Sequence, residues 1–178
     1  MSNIAYVGAS IDGFIADRDG GLDFLSIVPN PDEHDFGFAD FMGAVDALLM
    51  GRKTFEVVLS FGVGWPYSRP VFVLSSTLRD VSEPLKGKVE IVSGQLVDVV
   101  AELNERGFHN LYVDGGKLVQ SFLEQGMLDE MIITRVPVVL GGGTSLFGAL
   151  PAHVEFEHVR TEVFLDALVQ SHYKKKVS

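Results

Sequence analysis

Two short stretches carry the residues best suited to chemistry. In LLMGRKTFEVV, residues 48–58, Arg52 and Lys53 follow Gly51 directly, and in YVDGGKL, residues 112–118, Lys117 follows the pair Gly115–Gly116. Each reads as a buried strand, a glycine turn and a helix start. Cations in the first turn of a helix face the positive end of its dipole, which costs roughly 0.3–1 kcal/mol each. An anionic ligand would offset that cost, because the first N–H groups of a helix have no intrahelical acceptor. Glycine has no Cβ, so a ligand can approach its backbone closely. Either stretch alone reads equally well as a tight turn with solvated cations. Two in one acidic chain predict a ligand with two phosphate-bearing regions, which is a dinucleotide.

The charge balance sharpens the placement. The chain holds 14 Lys+Arg against 24 Asp+Glu, a net charge of −10. Residues 1–51 contain nine acids and a single cation, Arg18, so Arg52 and Lys53 end a long acidic stretch abruptly. General nucleic-acid binding needs a basic face and is not expected. The remaining basic cluster, Lys174–Lys176, reads as a solvated strand end. Absence of cysteine excludes disulfides, thiolate metal sites and a cysteine nucleophile together. The five histidines, at 34, 109, 153, 158 and 172, offer no i, i+4 pair on a helix, so no metal site is expected. No signal-peptide pattern opens the chain and no apolar run approaches a membrane span, so a soluble cytoplasmic protein is expected.

These residues need elements to hold them. With 178 residues, 47% hydrophobic and no low-complexity linker or repeat, one domain over residues 1–178 is expected. β-rich runs (NIAYVGAS, VDALLM, PVFVLSS, VEIVS, NLYV, MIITRVPVVL) alternate with helical patterns over 33–44, from Lys53, 97–106 and 118–125. That alternation predicts a mainly parallel sheet covered on both faces. Gly107 and Gly126 sit where a helix end takes a left-handed residue. After Leu140, GGGTSLFGALP reads as a loop, and VEFEHVRTEVF and ALVQSHYKKKV alternate as an antiparallel pair would. The fold class is therefore α/β, three layers α-β-α, with a central mixed, mainly parallel sheet and an antiparallel C-terminal edge. Ligands of such sheets bind beyond the carboxyl ends of the strands, where both glycine turns fall.

Neither G-x-G-x-x-G after a strand nor G-x-x-x-x-G-K-[ST] occurs. The ordered set SIDGFIADRDGGLDF, VDALLMGRKTFE, WPYSRPVFVLSS and VDGGKLVQSFLEQGMLDEMIITRVPVVLGGGTSLF instead resembles the dihydrofolate-reductase-like superfamily. It looks closest to the reductase domain of the bifunctional riboflavin-biosynthesis deaminase-reductase, over about residues 3–147.

The resemblance implies an NADPH site. Arg52 and Lys53 would reach the adenosine 2′-phosphate, with Gly51 and Thr54 near the pyrophosphate. Ser75 and Ser76 match hydroxyls beside the adenosine ribose. Gly115, Gly116, Lys117 and Leu118 match the glycine pair and helix start beneath the pyrophosphate, a pair joined by a cis peptide in the dihydrofolate reductase branch. Gly8, Ala9 and Ile15 match the wall behind the nicotinamide. On the substrate side, Asp35 lies at the spacing of the folate-binding acid, Thr134 matches its supporting threonine, and Arg69 matches an arginine that pairs with a substrate carboxylate. Phe38 or Phe41 would border that pocket.

The activity implied is NADPH-dependent hydride transfer to a pyrimidine- or pteridine-type substrate, as in reduction of 5-amino-6-(5-phosphoribosylamino)uracil. The alternatives are dihydrofolate reductase-type activity or a non-catalytic NADPH-binding protein. A small-molecule substrate and a homodimer are the expected partners, with neither nucleic acid nor membrane. Two departures bear on the substrate. LDFLSIVPNPDE replaces the Trp-x-x-Pro segment of true dihydrofolate reductases, and the substrate end offers mainly Arg18 and Arg69 for a substrate phosphate. The deaminase half, with its His-Glu and Pro-Cys-x-x-Cys zinc signature, is absent.

Overall fold

The computed structural model describes residues 1–177. Its strands are β1 (Ser2–Ser10), β2 (Phe14–Ala16), β3 (Ala47–Gly51), β4 (Val71–Leu74), β5 (Val89–Val92), β6 (Asn110–Asp114), β7 (Glu130–Val136), β8 (Thr144–Ser145), β9 (Phe156–Phe164) and β10 (Leu168–Lys175). Its helices are α1 (Phe38–Ala44), α2 (Arg52–Ser60), α3 (Leu96–Glu105) and α4 (Gly116–Glu124). Eight strands form one sheet in the order β5-β4-β3-β6-β1-β7-β10-β9. The first six run parallel, and β10 and β9 close the edge antiparallel, the mixed sheet expected from the alternation patterns.

Apolar runs in the middle strands arise because helices cover both faces. Leu111 and Val113 of β6 pack under Val99, Leu103, Val119 and Phe122 of α3 and α4. Tyr112, next to them in sequence, points to the other face with Phe41 of α1 and Phe55 of α2. Each large side chain removed from water this completely contributes roughly 1.5–3 kcal/mol. The ends of α3 and α4 follow their glycines. Gly107 and Gly126 have φ of 94° and 67°, and the N–H groups of Phe108 and Met127 reach back to the carbonyls of Leu103 and Phe122 at 3.0 and 2.8 Å.

The first helix differs from the expected span over residues 33–44. Glu33, Phe36 and Gly37 have φ of 50°, 58° and 83°, so the chain turns left-handed and α1 starts only at Phe38. The GGGTSLFG segment is a loop as expected, yet Thr144 and Ser145 pair with β2 as a separate two-stranded sheet. Asp12 fastens the same loop by accepting from the N–H groups of Leu140 and Gly141 at 3.1 and 2.8 Å. The Ser10 hydroxyl, the larger influence, and these two N–H groups hold its carboxyl below the usual range. Among the described residues, no helix is long and apolar enough to cross a membrane.

Candidate active site

Sheet pairing brings the two glycine turns side by side. β3 and β6 run parallel with Met50 opposite Asp114, so Gly51 and Gly115 leave the same sheet edge on neighbouring strands. β4 is the next strand, with Leu74 opposite Gly51, and it delivers Ser75 and Ser76 to that edge. Both helices begin immediately after these ends, α2 at Arg52 and α4 at Gly116, each nine residues long. Their first N–H groups therefore face a common opening.

The turns also touch. Gly115 has φ 101°, and a Cβ there would collide with Thr54 Oγ1 and stand 3.3 Å from Thr54 Cβ. A Cβ on Gly116 would collide with Ile15 Cδ1, the tip of a flexible side chain from β2. At Gly51 a Cβ would meet nothing within 4 Å, so the backbone at the start of α2 is open to a ligand. No peptide bond among the described residues is cis, so Gly115–Gly116 is trans, unlike the pair of the dihydrofolate reductase branch. Gly115→Ala combines a left-handed backbone with a clash against β-branched Thr54. It is expected to destabilise the fold by roughly 1–3 kcal/mol and by more than Gly116→Ala, which thermal melts of the two variants would compare.

Other predicted residues divide. Arg52, Leu74, Ser75, Ser76, Thr77 and Gly94 line a cleft of about 440 Å³ beside the start of α2. Arg52 pairs with Glu56 at 3.3 Å, both exposed, and such a pair is worth little and is readily exchanged for a phosphate. Lys53 and Lys117 are exposed at their helix starts. Leu118 is in the core, so only its backbone N–H can serve a ligand. Ser75 departs from its expected role. Its Oγ is buried and accepts from the N–H groups of Thr77 and Leu78 at 3.2 and 3.0 Å, which shapes the turn and leaves Ser76 and Thr77 as the hydroxyls on the cleft. Gly8 and Ala9 lie in β1, with Leu25 packed against Gly8 and Ala9 fully buried.

The substrate-side assignments are not assembled as expected. Asp35 is exposed, and its Oδ1 and Oδ2 accept from the N–H groups of Gly37 and Ala39 at 3.0 and 2.9 Å. These bonds hold its carboxyl below the ordinary range, with Ala39 the larger influence, so it is a fixed anion that caps α1. Thr134 does not touch it. Thr134 Oγ1 accepts from Gln170 Nε2 at 3.0 Å, and the same amide group reaches Tyr6 Oη and the Phe36 carbonyl at 3.1 and 3.2 Å. Asp35 instead lines a groove of about 560 Å³ between α1 and β10, with Tyr6, Phe41, Gln170 and His172. Phe38 is packed edge-on to Tyr6 at 5.4 Å. Arg69 is outside that groove, because its Nε and Nη2 donate to the Met42 and Gly43 carbonyls at 3.1 and 2.9 Å and close the C-terminal end of α1. Arg18 similarly donates to the Gly141 carbonyl at 2.8 Å.

One acid that sequence reasoning passed over stands at the centre. Asp114 ends β6 directly before the glycine pair, and strand alternation turns it to the face of Tyr112 rather than that of Val113. Burial pushes its carboxyl up to about 6, against the opposing influence of Tyr67, Tyr112 and the Gly115 N–H. Tyr67 Oη donates to Asp114 Oδ2 at 3.3 Å. The signal was present in DGG itself, an acid at a carboxyl strand end beside a phosphate-type turn, but its burial depends on residues far away in sequence.

Comparisons with known proteins bear on the family and the fold. A family model described as the RibD C-terminal domain matches residues 3–169. The uncharacterised protein YwjB of Bacillus subtilis (strain 168) is 32% identical over 172 residues, covering 96% of this chain and 95% of YwjB. A crystal structure from Shewanella sp. PV-4, of a protein ascribed to riboflavin biosynthesis, is 50% identical with a TM-score of 0.97 over 99% of this chain and 100% of that one. Dihydrofolate reductase from Enterococcus faecalis, solved with NADP(H), is 17% identical with a TM-score of 0.68 over 99% of this chain and 97% of that one, a likeness of fold.

Proposed function

The chain belongs to the RibD C-terminal domain family, and from that membership we propose an NADPH-dependent reductase that acts on a C=N bond of a pyrimidine- or pteridine-type substrate. The observation that carries the reading is the adjacency of two glycine-led helix starts with a half-buried carboxyl, raised to about 6, at the strand end beside them. The residues fit the cofactor: Gly51 is open, the N–H groups that begin α2 and α4 face one edge, and Arg52 lines the Ser76–Thr77 cleft with exposed Lys53 next to it in sequence.

When bound, NADPH would supply the hydride. The chain's own work is alignment and one proton. The α2 and α4 N–H groups would hold the pyrophosphate, and Arg52, Lys53, Ser76 and Thr77 the 2′-phosphate and ribose end. Asp114, raised to about 6, keeps a fraction of its population protonated near neutral pH and would donate that proton to the substrate nitrogen as the adjoining carbon takes the hydride; solvent then reprotonates the carboxylate. Two electrons and two hydrogens thus enter the C=N bond, leaving an amine and the oxidised cofactor.

Reduction of 5-amino-6-(5-phosphoribosylamino)uracil, whose ribose must first open to the imine that takes the hydride, is the substrate reading favoured by family membership. Dihydrofolate-type recognition has less support, because Asp35 is committed to α1 and separated from Thr134. Following loss of NADPH absorbance with a panel of riboflavin-pathway intermediates and dihydropteridines tests the proposal. Turnover of one class supports it, whereas tight NADPH binding without oxidation by any member would favour a binding protein. A cytoplasmic homodimer completes the reading. Val159, Val163 and Val169 on the C-terminal strands are 50%, 61% and 38% exposed and would be covered by a second copy, which light scattering of the purified chain checks.

A further inference from the structure

The groups around Asp114 are unequal. Tyr112, two residues earlier on β6, lies beside the carboxyl, but its hydroxyl donates to the Tyr6 carbonyl at 3.1 Å. A phenol has one proton to give, so Tyr112 shares its proton between that carbonyl and Asp114 and is the weaker of the two phenols on the carboxyl. Gly115 contributes a backbone N–H from the turn itself. Tyr67 arrives from the loop between α2 and β4, 47 residues away, and its hydroxyl donates to Oδ2. Burial first, and then the neighbouring Asp114, hold the Tyr67 phenol far above the usual tyrosine range, so it remains a donor throughout the working pH. Its ring is braced edge-on by Trp65 at 5.3 Å, and Trp65 in turn by Phe55 of α2 at 6.0 Å. The other titratable group near this cluster is Tyr6 of β1, which faces Tyr112, and no cation acts on the Asp114 carboxyl among the described residues.

We propose that Tyr67 is the positioning residue for Asp114, aiming the carboxyl toward the cofactor edge and setting the pH at which it releases its proton. The proposal rests on the reading of Asp114 as proton donor. A hydroxyl that donates to a carboxylate stabilises the ionised form and opposes the effect of burial. With Tyr67 Oη removed, only Tyr112 and the Gly115 N–H remain to oppose burial, and the proton is held more tightly.

Carboxyl 13C titration by NMR of the cofactor-free protein tests this without any turnover. In Tyr67→Phe the Asp114 transition is expected to move up by about one pH unit, and in Tyr112→Phe to move less. Incorporating 3,5-difluorotyrosine at position 67 keeps the ring, strengthens the donor and should move the transition the opposite way, a sign that loss of packing cannot produce. In turnover, the alkaline limb for Tyr67→Phe should follow the same upward shift, with kcat reduced about tenfold and KM for NADPH unchanged. Equal shifts from both phenylalanine variants, or no reversal with the fluorinated residue, would overturn the proposal even where reductase activity persists. A Tyr67-dependent titration in a protein that oxidises no NADPH would leave this assignment standing as a coupling and remove the catalytic reading on which it builds.

Discussion

Asp114→Asn is expected to lower kcat by about 10²–10⁴ while leaving the Kd for NADPH near its original value. The size is that of a general acid removed from a proton-transfer step. The asparagine fills the same space and can still accept from Tyr67, so geometry is kept and only the proton is lost. The same substitution should stabilise the protein at neutral pH, which separates it from simple damage. The Asp114 carboxyl is raised from 3.8 to about 6 in the fold, chiefly by burial. A raised acid favours folding fully below its unfolded value, and that contribution is lost as the pH rises through about 4 to 6. Above this window the charged form costs the fold roughly 3 kcal/mol, at about 1.4 kcal/mol for each pH unit by which the carboxyl is raised. Melting curves should therefore show Asp114→Asn several degrees more stable at pH 8 and level with the parent at pH 4. A variant that melts lower at pH 8 would show that burial does not penalise the charged carboxyl.

Arg52→Ala combined with Lys53→Ala is expected to raise the Kd for NADPH about 10–100-fold and that for NADH less than about twofold. The range is the roughly 1.5–3 kcal/mol of a hydrogen bond to a charged group, converted at 1.4 kcal/mol per decade. Selectivity follows because NADH lacks the 2′-phosphate these side chains would meet. The present partner of Arg52 is exposed Glu56, so the unliganded protein should lose little stability. Trp65, the single tryptophan, supplies the readout through energy transfer to the reduced nicotinamide. Equal losses for both cofactors would remove the 2′-phosphate assignment and leave the pair as a solvated helix start.

The cofactor half of this site was readable because its requirements are local. Gly51 and Gly115 lie at strand ends, the cations follow within two residues, and the helices start there because a continuous apolar run gives way to a 3.6-residue period. Gly107 and Gly126 stop α3 and α4 for an equally local reason, the left-handed residue each helix end requires. The substrate half was less readable. Asp35 has the right spacing from Gly51, but left-handed residues at 33, 36 and 37 delay α1, and its carboxylate becomes the cap of that shortened helix. Arg69 and Ser75 carry suitable groups that neighbouring backbone takes up.

By itself, then, the sequence determined the α/β class, the parallel-then-antiparallel order of the sheet and the two glycine-cation helix starts, all consequences of backbone preference and side-chain periodicity among near neighbours. Only the tertiary structure decided that β3 lies beside β6, so that both turns face one opening, and that Asp114 meets Tyr67 across 47 residues. Strand pairing and the ionisation of a half-buried acid depend on what folding brings next to a group, and the neighbours that set them are distant in the chain.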